Sequence, residues 1–378
     1  MGDSNSIRTT SRYTSLDGLR GLAAFVVVLH HCFLVSPQLV DAVARNGVGP
    51  FESWVWWTTF TPLHLIWAGR EAVYVFFILS GFVLTLPFLR ASRPSWLAYY
   101  PKRIVRIYLP VWFSLIFALF MAWAFPRVAD PAFSSWVNSH DAAPNVLGDA
   151  FLLRGAGPLN SPLWSLQWEM LFSLLLPLYA VAATRFRRLW LLGVVGLLLL
   201  IAAGNLMNIA LPVYLSMFGV GAMLAARRDV LERWGRKLGR WSWAGLLTAS
   251  IVFLCSCWLF PQLPVSISVA TIGGALLIFA FIAWQPTIAL GNNFMIHWLG
   301  IRSFSLYLVH EPIVLSVTFA LRSSNPFDVA LFAVSLSLLA AEVFFRLVEH
   351  PSHRLAGLVG RTVTDRARRR KEAVIARH

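Results

Sequence analysis

Runs of about 20 mostly apolar residues, the length a membrane-spanning helix needs, recur along the chain at about 16–35, 70–89, 107–125, 163–183, 189–203, 206–226, 242–260, 265–284, 302–321 and 329–347. Polar and turn-forming residues separate them. This pattern predicts an all-α polytopic integral membrane helix bundle of about ten transmembrane helices. The two runs that meet at Gly204 and Asn205 are the weakest pair and also read as a re-entrant hairpin, so nine to eleven spans bracket the pattern. Two connections are long, at about 36–69 and 126–162, but nothing outside the spans is long enough to bury a core of its own. The organisation is therefore a polar tail at 1–15, a transmembrane domain over 16–351 and a basic tail at 352–378. Because the run behind the polar tail is long enough to span, a cleavable leader is not expected. No internal repeat is visible, which weighs against an inverted-repeat transporter.

Composition agrees. Of 378 residues, 58% are hydrophobic and 13% charged, against about 25% charged in soluble domains. A water-soluble globule and a disordered chain are both excluded. There are 32 Lys and Arg against 17 Asp and Glu, net +15. In a soluble protein that excess would suggest nucleic acid. Here the basic residues sit in short loops between apolar runs, as the positive-inside rule expects, so no nucleic-acid partner is inferred. With the N-terminus inside, inner segments carry Arg8, Arg12, Arg90, Arg93, Lys102, Arg103, Arg106, Arg185, Arg187, Arg188, the run Arg227 to Arg240 and the tail from Arg361 to Arg377. Outer loops carry Arg45, Arg127, Arg154 and Arg322, with Arg70 at a boundary. Both termini are expected to be cytoplasmic, in a multi-pass protein of the cell membrane. The three cysteines, Cys32, Cys255 and Cys257, lie in apolar stretches and form neither a disulfide scaffold nor a cysteine-rich zinc site; no metal site is expected. Trp54, Trp56, Trp57 and Trp67 crowd the first outer loop, which suits an interfacial belt and, alternatively, a sugar-stacking platform.

Ionisable groups inside spans are costly and therefore functional candidates. In the first span, Arg20 and His31 are eleven positions apart, about 20° on a helical wheel. Asp17 lies about 60° from Arg20 on the same side, and His30 about 80° away on the opposite side. Asp17, Arg20 and His31 thus share a face, while Gly18, Gly21 and Ala24 allow a second helix to come close. By rise per residue, His31 lies about 8 Å below the outer surface and Glu169, entering from outside in the fourth span, about 9 Å below it. A His31–Glu169 pair is expected, with the carboxylate fixing the imidazole as a general base.

In the ninth span His310 reaches a depth similar to that of Glu342 in the last, so a His310–Glu342 pairing or a polar clamp between helices is expected. Glu349-His350-Pro351 is expected to close the last helix at the inner surface. Arg103 and Arg106, three apart at the inner boundary, suit a polyphosphate such as the diphosphate of coenzyme A, with simple topological anchoring as the alternative.

These residues fall into motifs: Leu16-Asp17-Gly18-Leu19-Arg20-Gly21 through His31, Phe76-Phe77-Ile78-Leu79-Ser80-Gly81-Phe82, Arg103 with Arg106, Pro162-Leu163-Trp164-Ser165-Leu166 through Glu169, Ser305-Leu306-Tyr307-Leu308 through His310, and Val348-Glu349-His350-Pro351. In this order they resemble the membrane acyltransferase type-3 family over nearly the whole chain. The resemblance implies a ten-helix membrane O-acyltransferase that moves acetyl or another short acyl group from acyl-CoA to a hydroxyl. Acceptors in such a family include lipopolysaccharide, peptidoglycan, exopolysaccharide, Nod factors and macrolides. It also implies roles for Arg20, His31 and Glu169. Tyr74, Gln167-Trp168-Glu169-Met170 and Glu311 depart from the common pattern and bear on the acceptor more than on the chemistry.

The expectation is thus an acyltransferase with His31, Glu169 and Arg20 as catalytic residues, and with Arg103, Arg106 and Arg20 binding acyl-CoA. Asp17, Trp164, Ser165, His310 and Glu342 are expected to support them. Acyl-CoA is the donor substrate and no permanently bound cofactor is expected. The partners are a hydroxylated carbohydrate or lipid-linked acceptor and the bilayer. The alternative is a proton-coupled secondary transporter of a small or acylated metabolite, since midspan His and Glu serve such carriers too.

Overall fold

The computed structural model describes residues 13–44, 53–90, 95–153, 155 and 157–375. The loop arginines Arg8, Arg12, Arg45, Arg93, Arg154 and Arg377 lie outside the described residues. Twelve helices carry the architecture: α1 (Thr14–Phe33), α2 (Gly69–Thr85), α3 (Trp96–Ala124), α4 (Leu163–Arg185), α5 (Trp190–Leu206), α6 (Ala210–Ala226), α7 (Arg228–Gly235), α8 (Arg240–Leu254), α9 (Ser266–Ala283), α10 (Phe294–Leu321), α11 (Pro326–Phe344) and α12 (His350–Ile375). No strand occurs among the described residues. The protein is an all-α polytopic bundle, and each of the ten apolar runs coincides with a helix.

Their lengths refine the expected count. Eight segments are long and apolar enough to cross a membrane, and a ninth is gained when α6 and α7, bent by 70°, are taken as one span. The run at 242–260 forms α8, only 15 residues, whose rise of about 22 Å falls short of a hydrocarbon core about 30 Å thick. The pair around Gly204 is two helices joined by a turn in which Asn208 takes φ 52°. α3 and α10 begin earlier than their apolar runs, at Trp96 and Phe294.

The last helix is a further correction. It does not close at 349–351 but passes through a π-helical turn, Phe345–Glu349, and continues as α12. Pro351 stands two residues past that turn, where a missing backbone donor adjoins the irregular ladder.

Burial separates a centre from a periphery. The apolar window of α10 is 78% buried, whereas that of α5 is 17% buried and meets lipid on most sides. α1 lies against α10, α2 and α9 at the centre. Small residues set the closest approaches: a Cβ at Gly300 would strike the Asp17 carbonyl, and one at Gly81 would strike that of Phe218. The α1–α10 and α2–α6 backbones therefore touch, as the small-residue face of α1 predicts. Of the loop tryptophans, Trp54 and Trp57 are exposed, but Trp67 is buried. It stacks on His64 at 4.3 Å, which stacks on Trp258 at 4.4 Å. Both faces of His64 are thereby occupied, so Trp67 offers no open platform.

Candidate functional site

Two polar chambers lie along α1. The first opens on the basic face of the bundle, the side bearing Arg90, Arg187 and Arg228. It is a cavity of about 1400 Å3 lined by α1, α2, α3, α4 and α7 together with Glu349 and His353. α1 contributes Asp17 and Arg20, one turn apart and paired at 3.3 Å. Arg20 Nε donates to Ser303 Oγ at 2.9 Å, and its Nη2 donates to the Gly300 carbonyl at 3.2 Å. The guanidinium is thus fixed between the two central helices. α3 contributes Arg103 and Arg106. Arg103 donates to Ser173 Oγ at 3.0 Å and forms an ion pair with Glu169 on α4. Glu349 accepts from Ser305 N at 3.1 Å. At the rim, Tyr13 OH donates to Glu232 of α7 at 2.6 Å.

The second, toward the C-terminal end of α1, is a compact cluster of buried side chains. His31 is buried, and His310 and Glu311 are wholly so. His31 Nε2 lies 3.2 Å from Glu311 Oε2, and His140 Nε2, brought by the 126–162 connection, lies 3.4 Å from Glu311 Oε1. Ser161 completes the carboxylate's surroundings, donating from its backbone N–H at 2.5 Å and also from its hydroxyl. The hydrogen-bond network fixes the tautomers. His310 Nδ1 faces the Leu306 carbonyl at 3.0 Å and so carries its proton there, which leaves Nε2 as an acceptor. His31 Nδ1 faces both the Val27 carbonyl at 2.9 Å and His310 Nε2 at 3.1 Å, so it donates. His140 Nδ1 likewise donates to the Trp136 carbonyl at 2.7 Å. Two imidazoles thereby present Nε2 to the two oxygens of one carboxylate. A proton arriving on either ring becomes a charge-assisted hydrogen bond.

A narrow passage leads from the first chamber toward the cluster. A cavity of about 110 Å3 extends from Arg20, Arg106 and Glu169 to Ser165 and Tyr307. Ser165 Oγ and Tyr307 OH are 2.7 Å apart, and Tyr307 OH donates to the Pro162 carbonyl at 3.0 Å. The same turn that ends the passage therefore holds Glu311 through Ser161.

The expected face of α1 is found. Arg20 and His31 both meet α10, whereas His30 turns away and lies 2.9 Å from the Trp67 carbonyl. The expected partner of His31 is corrected. Glu169 is bound to Arg103, and Glu311 takes its place. The reason lies in where α4 starts. Asn160 is fully buried and donates to the Leu308 carbonyl at 2.9 Å, so the helix begins inside the bundle. Glu169, eight residues beyond Ser161, is then about 12 Å further along.

The His310–Glu342 pairing is also corrected. Glu342 is captured by Arg302 and by Arg346, one turn away, while His310 turns to α1. Ser165 faces Tyr307 as a site residue would, but Trp164 packs against Phe77 and Tyr214. Sequence reasoning missed Glu311, His140, Ser161 and Tyr307 as site residues. The signal for Glu311 was present, since a carboxylate in midspan is costly wherever it falls. His140 and Ser161 come from a connection without periodicity and carried none.

A helical membrane bundle with an arginine-lined cavity on one face and a buried histidine–carboxylate cluster beyond it defines a polytopic membrane protein with the means to bind an anion and move a proton. The particular family follows from comparison with known sequences. The chain belongs to the acyltransferase type-3 family, whose sequence model, described as an acyltransferase domain, matches residues 13–346. It is 24% identical to the acyltransferase MdmB of Streptomyces mycarofaciens over 92% of this chain and 93% of that protein. It is also 37% identical to the O-acetyltransferase PaAT-1 of Phomopsis amygdali over 21% of this chain and 14% of that protein. No solved structure matches the chain. The protein is thus a transferase of acyl groups, embedded in a membrane.

Proposed function

We propose that the protein is an acyl-CoA-dependent O-acyltransferase of the cell membrane. It takes acetyl or another short acyl group from the cytoplasmic face and delivers it to a hydroxyl of a carbohydrate or lipid-linked acceptor. One observation carries this reading: the arginine-lined cavity narrows to Ser165 and Tyr307, and the turn that closes it holds Glu311, the partner of His31. Family membership favours transfer over the carrier that midspan His and Glu would also suit. The basic face is cytoplasmic in this reading, and both termini lie there.

The chemistry divides among the residues. Arg20 and Arg106 bind the donor, while Arg103 and Glu169 brace each other in the wall. His31 Nε2 takes the proton of the acceptor hydroxyl, and Glu311 stabilises the imidazolium that results. The acceptor oxygen forms the new C–O bond at the thioester carbonyl, the C–S bond breaks, and the proton leaves with the CoA thiol. His310, by accepting from His31 Nδ1–H, leaves Nε2, beside Glu311, as the basic nitrogen of the ring.

Labelled acetyl-CoA supplied to membranes containing the protein should mark their glycan or lipid fraction. His31→Ala should lower that transfer about 10²–10⁴-fold, the usual contribution of a general base. Transfer at the wild-type rate by a membrane-inserted, folded His31→Ala protein overturns the assignment.

A further inference from the structure

The rim of the large cavity is built by α7, which leaves α6 at 70° and lies beside the start of α1. Three arginines line this part of the cavity: Arg233 and Arg236, one helical turn apart, and Arg90, just past the turn that follows α2. None of the three has an ion-pair partner among the described residues. The carboxylates along the same wall are committed. Asp17 pairs with Arg20, Glu169 with Arg103, and Asp229 with Arg187 and Arg228, while Glu232 and Glu349 accept from Tyr13 and Ser305. The rim therefore keeps uncompensated positive charge and several guanidinium forks in a wet, open setting. That arrangement grips a phosphate at low desolvation cost. Deeper in, the Arg103 fork is already filled by Glu169 and Ser173.

Distance along α1 separates the two groups. Tyr13 touches the rim through Glu232, Arg20 is about 10 Å further along the helix, and His31 about 16 Å beyond that. A cavity of about 1400 Å3 also exceeds the roughly 300–1,000 Å3 that suits a compact small molecule. The ligand that fits is elongated, with its anions at one end and its reactive group at the other. A coenzyme A thioester has this form: a 3′-phosphate and diphosphate at the nucleotide, then a neutral pantetheine arm ending at sulfur.

We propose that the rim formed by Arg233, Arg236 and Arg90 is the recognition site for the phosphates of the nucleotide end of coenzyme A. Arg20 and Arg106, which also line the narrow inner cavity, are left to the pantetheine arm and the thioester. This inference rests on the donor reading above and reassigns the phosphates from the Arg103–Arg106 pair to α7.

Equilibrium binding of coenzyme A and of 3′-dephospho-coenzyme A to the purified full chain tests it. Wild-type protein should bind coenzyme A about tenfold or more tightly than the dephospho form, the scale of a charge-assisted contact. Arg233→Gln/Arg236→Gln should weaken coenzyme A about ten- to a hundredfold and bring the two ligands to similar affinity. Arg106→Gln should weaken both ligands alike and keep their ratio. A rim variant that keeps the wild-type ratio, or a wild-type protein that binds both equally, overturns the rim assignment and leaves the donor reading standing. A wild-type protein that binds neither overturns the donor reading, and the rim assignment with it.

Discussion

The arginine-lined cavity and the histidine–glutamate cluster stand at different levels of the same bundle and solve the cost of buried charge in different ways. The cavity is about 1400 Å3 and walled by seven arginines, of which Arg90, Arg106, Arg233 and Arg236 are exposed, where each costs little and can wait for a ligand. The cluster has no such latitude: Glu311 is fully buried, accepts from two donors of Ser161 and faces the Nε2 atoms of two imidazoles that hold it once protonated. A buried charge survives only when its lone pairs are filled. The comparison teaches a division of labour. Loosely compensated charge binds, because exchanging water for phosphate is easy there; tightly compensated charge moves protons, because a single proton shifts the whole arrangement.

The largest expected effect breaks this comparison outright if it fails. Glu311→Gln keeps the volume and an acceptor for Ser161 but removes the charge that stabilises a protonated His31. Turnover should fall by about 10²-fold or more, with the KM for acyl-CoA nearly unchanged. Glu169→Gln, in the other chamber, should chiefly raise that KM by freeing Arg103 from its brace. Steady-state transfer with donor varied at fixed acceptor measures both. If Glu169→Gln cost more turnover than Glu311→Gln, the roles of the chambers would be reversed.

The same pair of carboxylates marks what was legible in the sequence. Apolar runs located ten of the twelve helices, all but α7 and α12, because lipid permits no other backbone solution. The eleven-residue spacing of Arg20 and His31 gave their shared face for the same reason, since helical phase accumulates predictably within one element. Depth did not transfer between elements. The His31–Glu169 expectation treated each helix as starting at the bilayer surface, whereas Asn160 anchors the start of α4 to the Leu308 carbonyl inside the bundle. The His310–Glu342 expectation failed because Arg302, on the same helix as His310, is a stronger partner for a carboxylate than a neutral ring. His140 was beyond reach of any periodicity, since an irregular connection carries it. Of the cavity arginines, Arg20, Arg103 and Arg106 were visible as candidates, whereas Arg90, Arg233 and Arg236 read only as inner-loop charge, because the bend between α6 and α7 that brings α7 to the cavity has no signal in the apolar pattern.

The passage that leads toward the cluster offers a smaller and sharper test. Tyr307→Phe keeps the ring that lines the narrow cavity and deletes the hydroxyl shared with Ser165 and the Pro162 carbonyl. Loss of one such contact should lower turnover about three- to tenfold without weakening coenzyme A binding. Tyr307 acts here as a positioning residue, so the readout is the split between turnover and donor KM. A rise in donor KM with unchanged turnover would place the hydroxyl in the binding chamber instead.

The smallest effect concerns the connection that delivers His140. The short helix Val146–Ala150 rests on α3, where Trp112 Nε1 donates to the Ala150 carbonyl at 3.0 Å. Asp149 is buried within it, and its Oδ2 has no hydrogen-bond partner. Burial raises the Asp149 carboxyl above its ordinary range, opposed by one backbone N–H from Gly157. A carboxyl raised on folding favours the protonated folded state, so its contribution is full at low pH and is lost as pH climbs through the raised value. Above that point the wild-type protein holds an incompletely compensated carboxylate. Asp149→Asn removes the charge and keeps an oxygen for Gly157, so it should raise the melting temperature slightly, by no more than about 2 °C, at neutral pH. The two proteins should melt together in acid, below the ordinary carboxylate range. Melting curves of the detergent-solubilised proteins across that pH interval measure the difference. An Asp149→Asn variant less stable than wild type at neutral pH would mean that the negative charge of Asp149 is itself a structural tie, and that the far side of the bundle tolerates a buried carboxylate with fewer donors than Glu311 receives.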